Sequence, residues 1–450
     1  MRILIVGGGE VGLALSRHLA PDHDLTVVEH NPAVAVRFAA LDVVVVTGSG
    51  TDPSTLTRAG IARADLLVAC TGVDEVNLVA CTVGRQLGSP ATICLVSRDD
   101  FFGPLAAGDA MHRHFGVDRV LWPEAQLADD IERIIEAPGA IDAESFAEGK
   151  VLLLEYRLKP SVYLTGGPLS EMGLPIGSLV VAFKRGDTVA IPRGTTRLAA
   201  GDKVIIMGTP EAMRAVEARL APQAERANAR QRVTIIGGGD VGFRLAQRLD
   251  PRPTVELCVI EKDAQRAEHI AATLKHALVL RGDGTDLELL EAEDIGRSDV
   301  LVSVIDNDER NLFASLLGRQ LGVQKIITRV SKASNLRLFE RVGIDVALSA
   351  RAAAVASIVH QVRGGTSDLL AVLEEGQAQV LEITVPAGFP ATALQQLGAP
   401  EASIVGAVRR DGEVIVPRGR DEVRAGDRLL VFTTAAAVDR VRDFFTAQSR

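Results

Sequence analysis

Ile5-Val6-Gly7-Gly8-Gly9-Glu10-Val11-Gly12, near the start of the chain, returns as Ile235-Ile236-Gly237-Gly238-Gly239-Asp240-Val241-Gly242. Each copy follows a short apolar run and opens a helical pattern. Val11, Leu15 and Leu19, then Val241, Leu245 and Leu249, recur at the four-residue spacing of a buried helix face. Each copy leads to a second apolar run that ends in an acid: Leu25-Thr26-Val27-Val28-Glu29 and Leu257-Cys258-Val259-Ile260-Glu261. Strand, glycine-rich turn, helix, strand and acid is the order of a dinucleotide-binding βαβ unit. One such motif is a weak signal. Two in register, each with its acid about twenty residues on, are not.

The repetition extends well beyond the glycines. Gly48 to Gly88 aligns without a gap on Gly282 to Gly322, with 20 of 41 positions identical. That identifies a duplicated domain. Strand-like runs in the first copy fall at 2–6, 25–29, 43–46, 66–70 and 92–96. Those in the second fall at 232–236, 256–260, 277–280, 299–304 and 325–330. Alternation of such runs with helical patterns predicts a doubly wound parallel sheet in each copy.

A second, smaller repeat follows. Residues 151–157 are strand-like. Ser178 to Phe183, a Gly186-Asp187 turn, Ile191-Pro192-Arg193-Gly194 and Gly201-Asp202-Lys203-Val204-Ile205-Ile206 come next. The later copy has Ser403-Ile404-Val405, an Asp411-Gly412 turn, Val416-Pro417-Arg418-Gly419 and Gly426-Asp427-Arg428-Leu429-Leu430-Val431. Short strands joined by such turns predict a small antiparallel sheet, closed by helices near 210–220 and 435–446. The expected order is A–B–A′–B′. Rossmann-like domains cover 1–122 and 230–348, and small α+β domains cover 143–225 and 368–450, with a linker at 221–230.

The glycines have separable physical tasks. Gly7 and Gly237 allow the tight turn, Gly9 and Gly239 let a pyrophosphate approach, and Gly12 and Gly242 let helix pack on strand. The helix N-terminus favours an anion there. Glu29 and Glu261 are placed to accept hydrogen bonds from ribose hydroxyls, and their charge disfavours a 2′-phosphate. The bland alternative is a sheet that keeps its glycines for packing alone. Gly48-Ser49-Gly50-Thr51-Asp52 and Gly282-Asp283-Gly284-Thr285-Asp286 follow the third strands, where Ser49 and Asp283 can face an adenine. Asp52 and Asp286 read better as helix caps. After the fourth strands, Thr71-Gly72-Val73-Asp74-Glu75 and Ile305-Asp306-Asn307-Asp308-Glu309 either border the phosphate or nicotinamide end or form solvated caps. Arg329 ends the fifth strand of the second copy and can meet a phosphate. The first copy has Leu95 there and its arginine, Arg98, three residues later. Arg85 and Arg319, in the repeated Gly-Arg-Gln-Leu-Gly runs, read as structural.

Composition narrows the class. The chain has 450 residues, 47% hydrophobic and 24% charged, which suits several globular domains. A formal charge of −9 disfavours a nucleic-acid partner. No apolar run approaches the roughly 20 residues of a spanning helix. The chain begins directly on a strand pattern, so no signal peptide is expected. The four cysteines form no Cys-x-x-Cys, and three sit in apolar settings that suit buried thiols. The eight histidines are not repeated between copies; His112 and His114 sit on an expected exposed helix without further ligands at metal spacing. No catalytic residue and no metal site is expected.

With these motifs on the page, the chain resembles the cytosolic regulatory subunits of bacterial Trk-type potassium uptake systems, which carry tandem domains that regulate potassium conductance (RCK domains). The resemblance covers essentially the whole chain. It rests on GGGEVG with Glu29, GGGDVG with Glu261, the GSGTD and GDGTD stretches, DEVNL at 74–78, both GRQLG runs, and the small-domain IPRG…AAGDKVIIMG and VPRG…RAGDRLLVF strings. It implies binding of NAD(H), with ATP/ADP possible at the same sites. The residues so marked are Gly7, Gly8, Gly9, Glu10, Val11, Gly12, Glu29, Ser49, Thr71, Gly72 and Arg98 in the first copy. In the second copy they are Gly237, Gly238, Gly239, Asp240, Val241, Gly242, Glu261, Asp283, Ile305 and Arg329. It also implies a homo-tetrameric ring on the cytoplasmic face of the membrane, docked to a potassium-conducting integral membrane subunit. Ser49 replaces the family's usual acid and Leu95 its usual arginine, which implies that the first site differs in affinity or preference. The other readings are an NAD-dependent dehydrogenase and a regulator of a different membrane transporter.

Overall fold

The glycine turns sit at the ends of strands, as their spacing requires. The structure is a computed structural model of the chain. It describes all residues except 89–90, 98–114, 138, 148, 161–162, 221–229, 364–368, 374–376 and 448–450. Arg98, His112, His114 and most of the 221–230 linker therefore lie outside the described residues.

The first sheet contains β1 (Arg2–Val6), β2 (Asp24–Glu29), β3 (Val44–Thr47), β4 (Leu66–Ala69), β5 (Thr92–Leu95) and β6 (Arg119–Leu121). Their order is β3-β2-β1-β4-β5-β6 and every pairing is parallel. The switch point between β1 and β4 is where such sheets hold ligands. Helices Glu10–Leu19 and Asp74–Leu87 flank the sheet. Leu4, Val6, Leu67, Leu78 and Cys81 bury one face of it.

The first small sheet contains β7 (Asp142–Phe146), β8 (Val151–Arg157), β9 (Ser178–Arg185), β10 (Thr188–Ala190) and β11 (Lys203–Gly208). It is antiparallel, ordered β10-β9-β11-β8-β7, and is followed by the helix Pro210–Leu220. The second parallel sheet contains β12 (Gln231–Ile236), β13 (Val255–Glu261), β14 (Leu278–Arg281), β15 (Val300–Ser303), β16 (Lys325–Arg329) and β17 (Val346–Leu348). Its order, β14-β13-β12-β15-β16-β17, repeats that of the first. Next come β18 (Leu369–Leu373), β19 (Ala378–Thr384), β20 (Thr392–Ala393), β21 (Ser403–Arg410), β22 (Glu413–Ile415), β23 (Glu422–Val423) and β24 (Arg428–Thr434). Five of these form a sheet ordered β18-β19-β24-β21-β22, and β20 pairs with β23.

The sequence expectation of two doubly wound sheets, each followed by a small antiparallel sheet, therefore holds. It misses the sixth strand of each parallel sheet. β6 and β17 are only three residues long, too short to show a pattern. It also misses β7, β18 and β19.

The chain divides into two compact units that do not follow chain order. Residues 1–129 and 230–361, with both parallel sheets, make one; residues 130–229 and 362–450, with both small sheets, make the other. Within the second unit the two small sheets share one core. Phe146, Leu153, Ile205 and Met207 pack with Val380, Ala407, Leu430 and Phe432. A Cβ on Gly406 would lie 2.5 Å from the Met207 sulfur, so glycine permits this close approach. Like pairs with like in each unit.

Candidate functional site

The glycines of each turn separate into those the fold needs and those it does not. Gly7 and Gly237 adopt φ of +111° and +101°, the left-handed region that favours glycine. A Cβ on Gly12 or Gly242 would stand 1.9 Å from the carbonyl oxygen of Gly7 or Gly237. A Cβ on Gly8 would press on Glu29, and one on Gly238 on Ile270. Gly9 and Gly239 differ. Both have negative φ, no atom lies within 4 Å of a Cβ on Gly9, and only the Arg266 guanidinium, at 3.7 Å, approaches one on Gly239. Each is also the N-cap of its helix, with no side-chain cap hydrogen bond. A cradle that a side chain would fill, below free helix N–H groups, fits the pyrophosphate of a dinucleotide.

Glu29 and Glu261 are buried and already engaged. The Gly8 N–H donates to Glu29 Oε2 at 2.7 Å and the Asn31 N–H to Oε1 at 2.7 Å. The Gly238 and Asp263 N–H groups donate to Glu261 at 2.6 and 2.7 Å. Each acid ties the glycine turn to the loop after its second strand. Each oxygen keeps a lone pair for a ribose hydroxyl.

Val11 and Val241 are buried core side chains, which place the helix on the sheet. Glu10 pairs with Arg37 at 2.8 Å. Cys70 lies beneath the first turn, its thiol 3.7 Å from the Gly7 carbonyl oxygen. Burial, then the Glu29 charge, pushes that thiol up to about 12, which leaves it inert. Ser49 hydrogen-bonds Thr51 at 2.8 Å. Asp52 caps the helix Pro53–Arg58 and Asp286 caps Leu287–Ala292, as the sequence suggested.

The acid-rich loops after the fourth strands are solvated in part, with Asp306 exposed and Asn307 capping its helix, but each also carries a buried acid and a buried amide. Asp74, Asn77, Asp308 and Asn311 are all buried. Asn77 Oδ1 accepts the Thr71 N–H and its amide donates to the Thr71 and Leu95 carbonyls. Asn311 does the same for Ile305 and Arg329. Asp74 accepts the Ser97 N–H, and Asp308 those of Ser331 and Lys332. The Asp-x-x-Asn pattern fixes the loops that end β4, β5, β15 and β16. Thr71 and Gly72 belong to this stapled loop. Arg85 and Arg319 bind Asp118 and Asp345 at the outer sheet edge.

The second copy opens into a cavity of about 560 Å³. Gly237, Gly239, Asp240, Glu261, Ile305 and Arg329 line it, as do four cations that the sequence reading missed: Lys262, Arg266, Arg310 and Arg351. Asp283 lies behind two of these. Lys262 reaches it at 3.0 Å and Arg310 at 2.6 Å, and both Thr285 donors bind it. Burial pushes its pKa up, but these hydrogen bonds outweigh it and hold the carboxyl well below the usual range. Its carboxylate thus orients cations. Arg329 meets Asp306 at 3.2 Å.

Superposed strand for strand, the five cations have no cationic counterpart in the first copy. Lys262, Arg266, Arg310, Arg329 and Arg351 correspond to His30, Val34, Val76, Leu95 and Glu124. Reading the two copies against each other at every cavity position, rather than motif by motif, would have revealed this.

Comparison with known proteins agrees with this architecture. Residues 3–123 and 233–350 match the TrkA-N domain family, and residues 153–221 and 380–446 the TrkA-C domain family. Trk system potassium uptake protein TrkA homolog 1 of Methanosarcina mazei is 36% identical, with 99% of this chain and 100% of that protein covered. Trk system potassium uptake protein TrkA of Haemophilus influenzae is 31% identical over 96% of this chain and 95% of its own. The crystal structure of the GsuK RCK domain shares the fold, with a TM-score of 0.64, 21% identity and coverage of 99% of this chain and 95% of that one. The GsuK channel bound to NAD aligns with a TM-score of 0.63 and 20% identity, over 99% of this chain and 79% of that one. Two glycine-turn sheets, two small sheets and full-length matches above 30% identity converge, and the chain belongs to the TrkA family of Trk system potassium uptake proteins.

Proposed function

We propose that this chain is the nucleotide-binding regulatory subunit of a Trk-type potassium uptake system and that NAD(H) or ATP/ADP in its cavities biases a potassium-conducting membrane partner. The supporting observation is the second cavity: open glycine cradle, ribose-facing acid and five cations in one place. When bound, the nucleotide supplies a pyrophosphate whose charge those groups meet. Gly237 to Gly242 and the flanking acid hold the ribose and pyrophosphate, while Arg329 and Arg351 face the far phosphate end. The first site uses Gly7 to Gly12, Glu29, Ser49 and Thr71; its expected arginine, Arg98, lies outside the described residues.

A ligand shifts an equilibrium only through its different affinity for two states. Loops stapled by Asn77 and Asn311 suit such a bias, because they join the nucleotide site to the carboxyl end of the neighbouring strand. We further propose domain limits at 1–122, 143–225, 230–348 and 368–450, a homo-tetrameric ring, and peripheral attachment at the cytoplasmic face of the membrane. No helix among the described residues is long and apolar enough to cross a membrane, so the pore belongs to the partner.

Calorimetric titration of the purified chain with NADH, NAD, ATP, ADP and NADPH tests the reading. Saturable binding with NADPH weakest is expected. No binding of any of the five overturns it, and so does steady NADH turnover by the chain alone.

A further inference from the structure

Glu124 lies in the first half of the chain, at the start of the helix Pro123–Glu136, yet it lines the cavity of the second half. Its counterpart in the second half is Arg351, which lines the same cavity. One cavity thus holds an acid from one copy and a base from the other at equivalent positions. Arg329 from the end of β16 and Arg351 act on the Glu124 carboxylate with opposite charge, and Asp240 at the glycine turn acts with like charge. Arg329 is also paired with Asp306. Five residues after Glu124, Asp129 meets Arg248 at 2.7 Å, on the helix that the second glycine turn opens. One helix of the first half thus reaches the second cavity through Glu124 and the far end of the helix Asp240–Leu249 through Asp129.

We propose that Glu124 is the specificity and coupling residue of the second site: its carboxylate competes with a ligand phosphate for Arg329 and Arg351. This rests on the nucleotide reading above. A phosphate entering the cavity toward the two arginines meets the Glu124 charge, and the acid must move or take up a proton. The two identities of the ligand, phosphate-rich or phosphate-poor, are then distinguished by how far the phosphate reaches toward Glu124. Burial already favours the protonated acid, ahead of the arginines that oppose this. Proton uptake is thus the expected response to a nearby phosphate.

The test is calorimetric titration of the full chain with ADP near pH 6, in two buffers of different ionisation enthalpy, for the wild type and Glu124→Gln. Both chains also carry Gly9→Val, so that the second site is read alone. Glu124→Gln should bind ADP at least about threefold more tightly, the size of a modest charge contact, and should lose the proton uptake of the wild type. A role for Glu124 only as an acid at a helix start predicts the opposite sign, since losing it weakens that helix. Equal affinity and equal proton uptake in the two chains overturn the proposal alone. ADP binding to neither chain overturns the proposal, and it overturns the nucleotide reading as well only when NADH, NAD, ATP and NADPH also fail to bind.

Discussion

At the residue scale, Glu261 and Gly239 separate two roles that one motif combines. Glu261 accepts two backbone N–H groups as well as facing the cavity. Glu261→Gln places an amide donor against those N–H donors. We expect it to weaken nucleotide binding by roughly 1.5–3 kcal/mol, the worth of hydrogen bonds to a charged acceptor, and to lower the melting temperature as well. Titration and a thermal melt on the same preparation check this; unchanged stability would mean the staple contributes nothing. Gly239→Val should behave differently. Its Cβ meets only the Arg266 guanidinium, in ordinary contact at 3.7 Å, at ordinary backbone angles, so the melt should stay close to wild type while binding at that site is lost. Glu29, Glu261 and both glycines were legible in the sequence. The staples were not, because a carboxylate's second partner depends on where the loop after the strand returns.

At the element scale, the Gly-Asp turns before β11 and β24 owe their repetition to an ion pair between a buried acid and a partly exposed arginine. Asp202 takes two bonds from Arg185, at 2.9 and 2.7 Å, and one from the Ala199 N–H. Asp427 takes two from Arg410 and one from the Arg424 N–H. Removing either acid leaves the turn N–H of Ala199 or Arg424, and the arginine, without that acceptor. Asp202→Ala and Asp427→Ala should each cost about 1.5–3 kcal/mol, the worth of hydrogen bonds to a charged group, with the smaller loss at Asp202, whose arginine is the more exposed; chemical denaturation of the small-domain transition measures this, and a loss well under about 1 kcal/mol would contradict it. Glu144 on β7 makes the same unit pH-sensitive. Burial, then the Asp142 charge, raises it from 4.5 to about 7, against the opposing pull of Arg133. The folded state keeps a proton there that the unfolded state releases. This contribution is whole below pH 4.5 and is lost as pH rises toward 7, on the order of 3 kcal/mol in all. Glu144→Gln should therefore flatten the fall in stability between pH 5 and 7. Parallel slopes for variant and wild type would exclude the effect.

At the scale of the whole molecule, the two glycine-turn sites differ in charge. One copy keeps five cavity cations and the other presents His30, Val34, Val76, Leu95 and Glu124 in their places. Screening weakens charge contacts, so ADP affinity should fall more steeply with salt at the second site than at the first. Titrations of Gly9→Val and Gly239→Val chains at two ionic strengths compare them; equal slopes would show that the cations do not meet the ligand. The pairing of like domains within each unit suits closed, symmetric assembly. A tetrameric mass is expected by light scattering, and a monomer at micromolar concentration would defeat the ring. A deletion strain should grow poorly when potassium is scarce. Growth should return with the intact gene and fail to return with Gly9→Val and Gly239→Val together.

The amino-acid sequence by itself determined the four-domain order, the two doubly wound parallel sheets, the glycine turns and their acids. These are local: each depends on hydrophobic period, turn geometry or a motif within about thirty residues. Tertiary structure alone decided the rest. Lys262, Arg266, Arg310, Arg329 and Arg351 come from separate segments and become one site only when the sheet brings their strand ends together. Glu124 joins them from the other half of the chain, and the two small sheets share a core that neither repeat announces. Burial and charge depend on distance through space, and residues far apart in sequence set both.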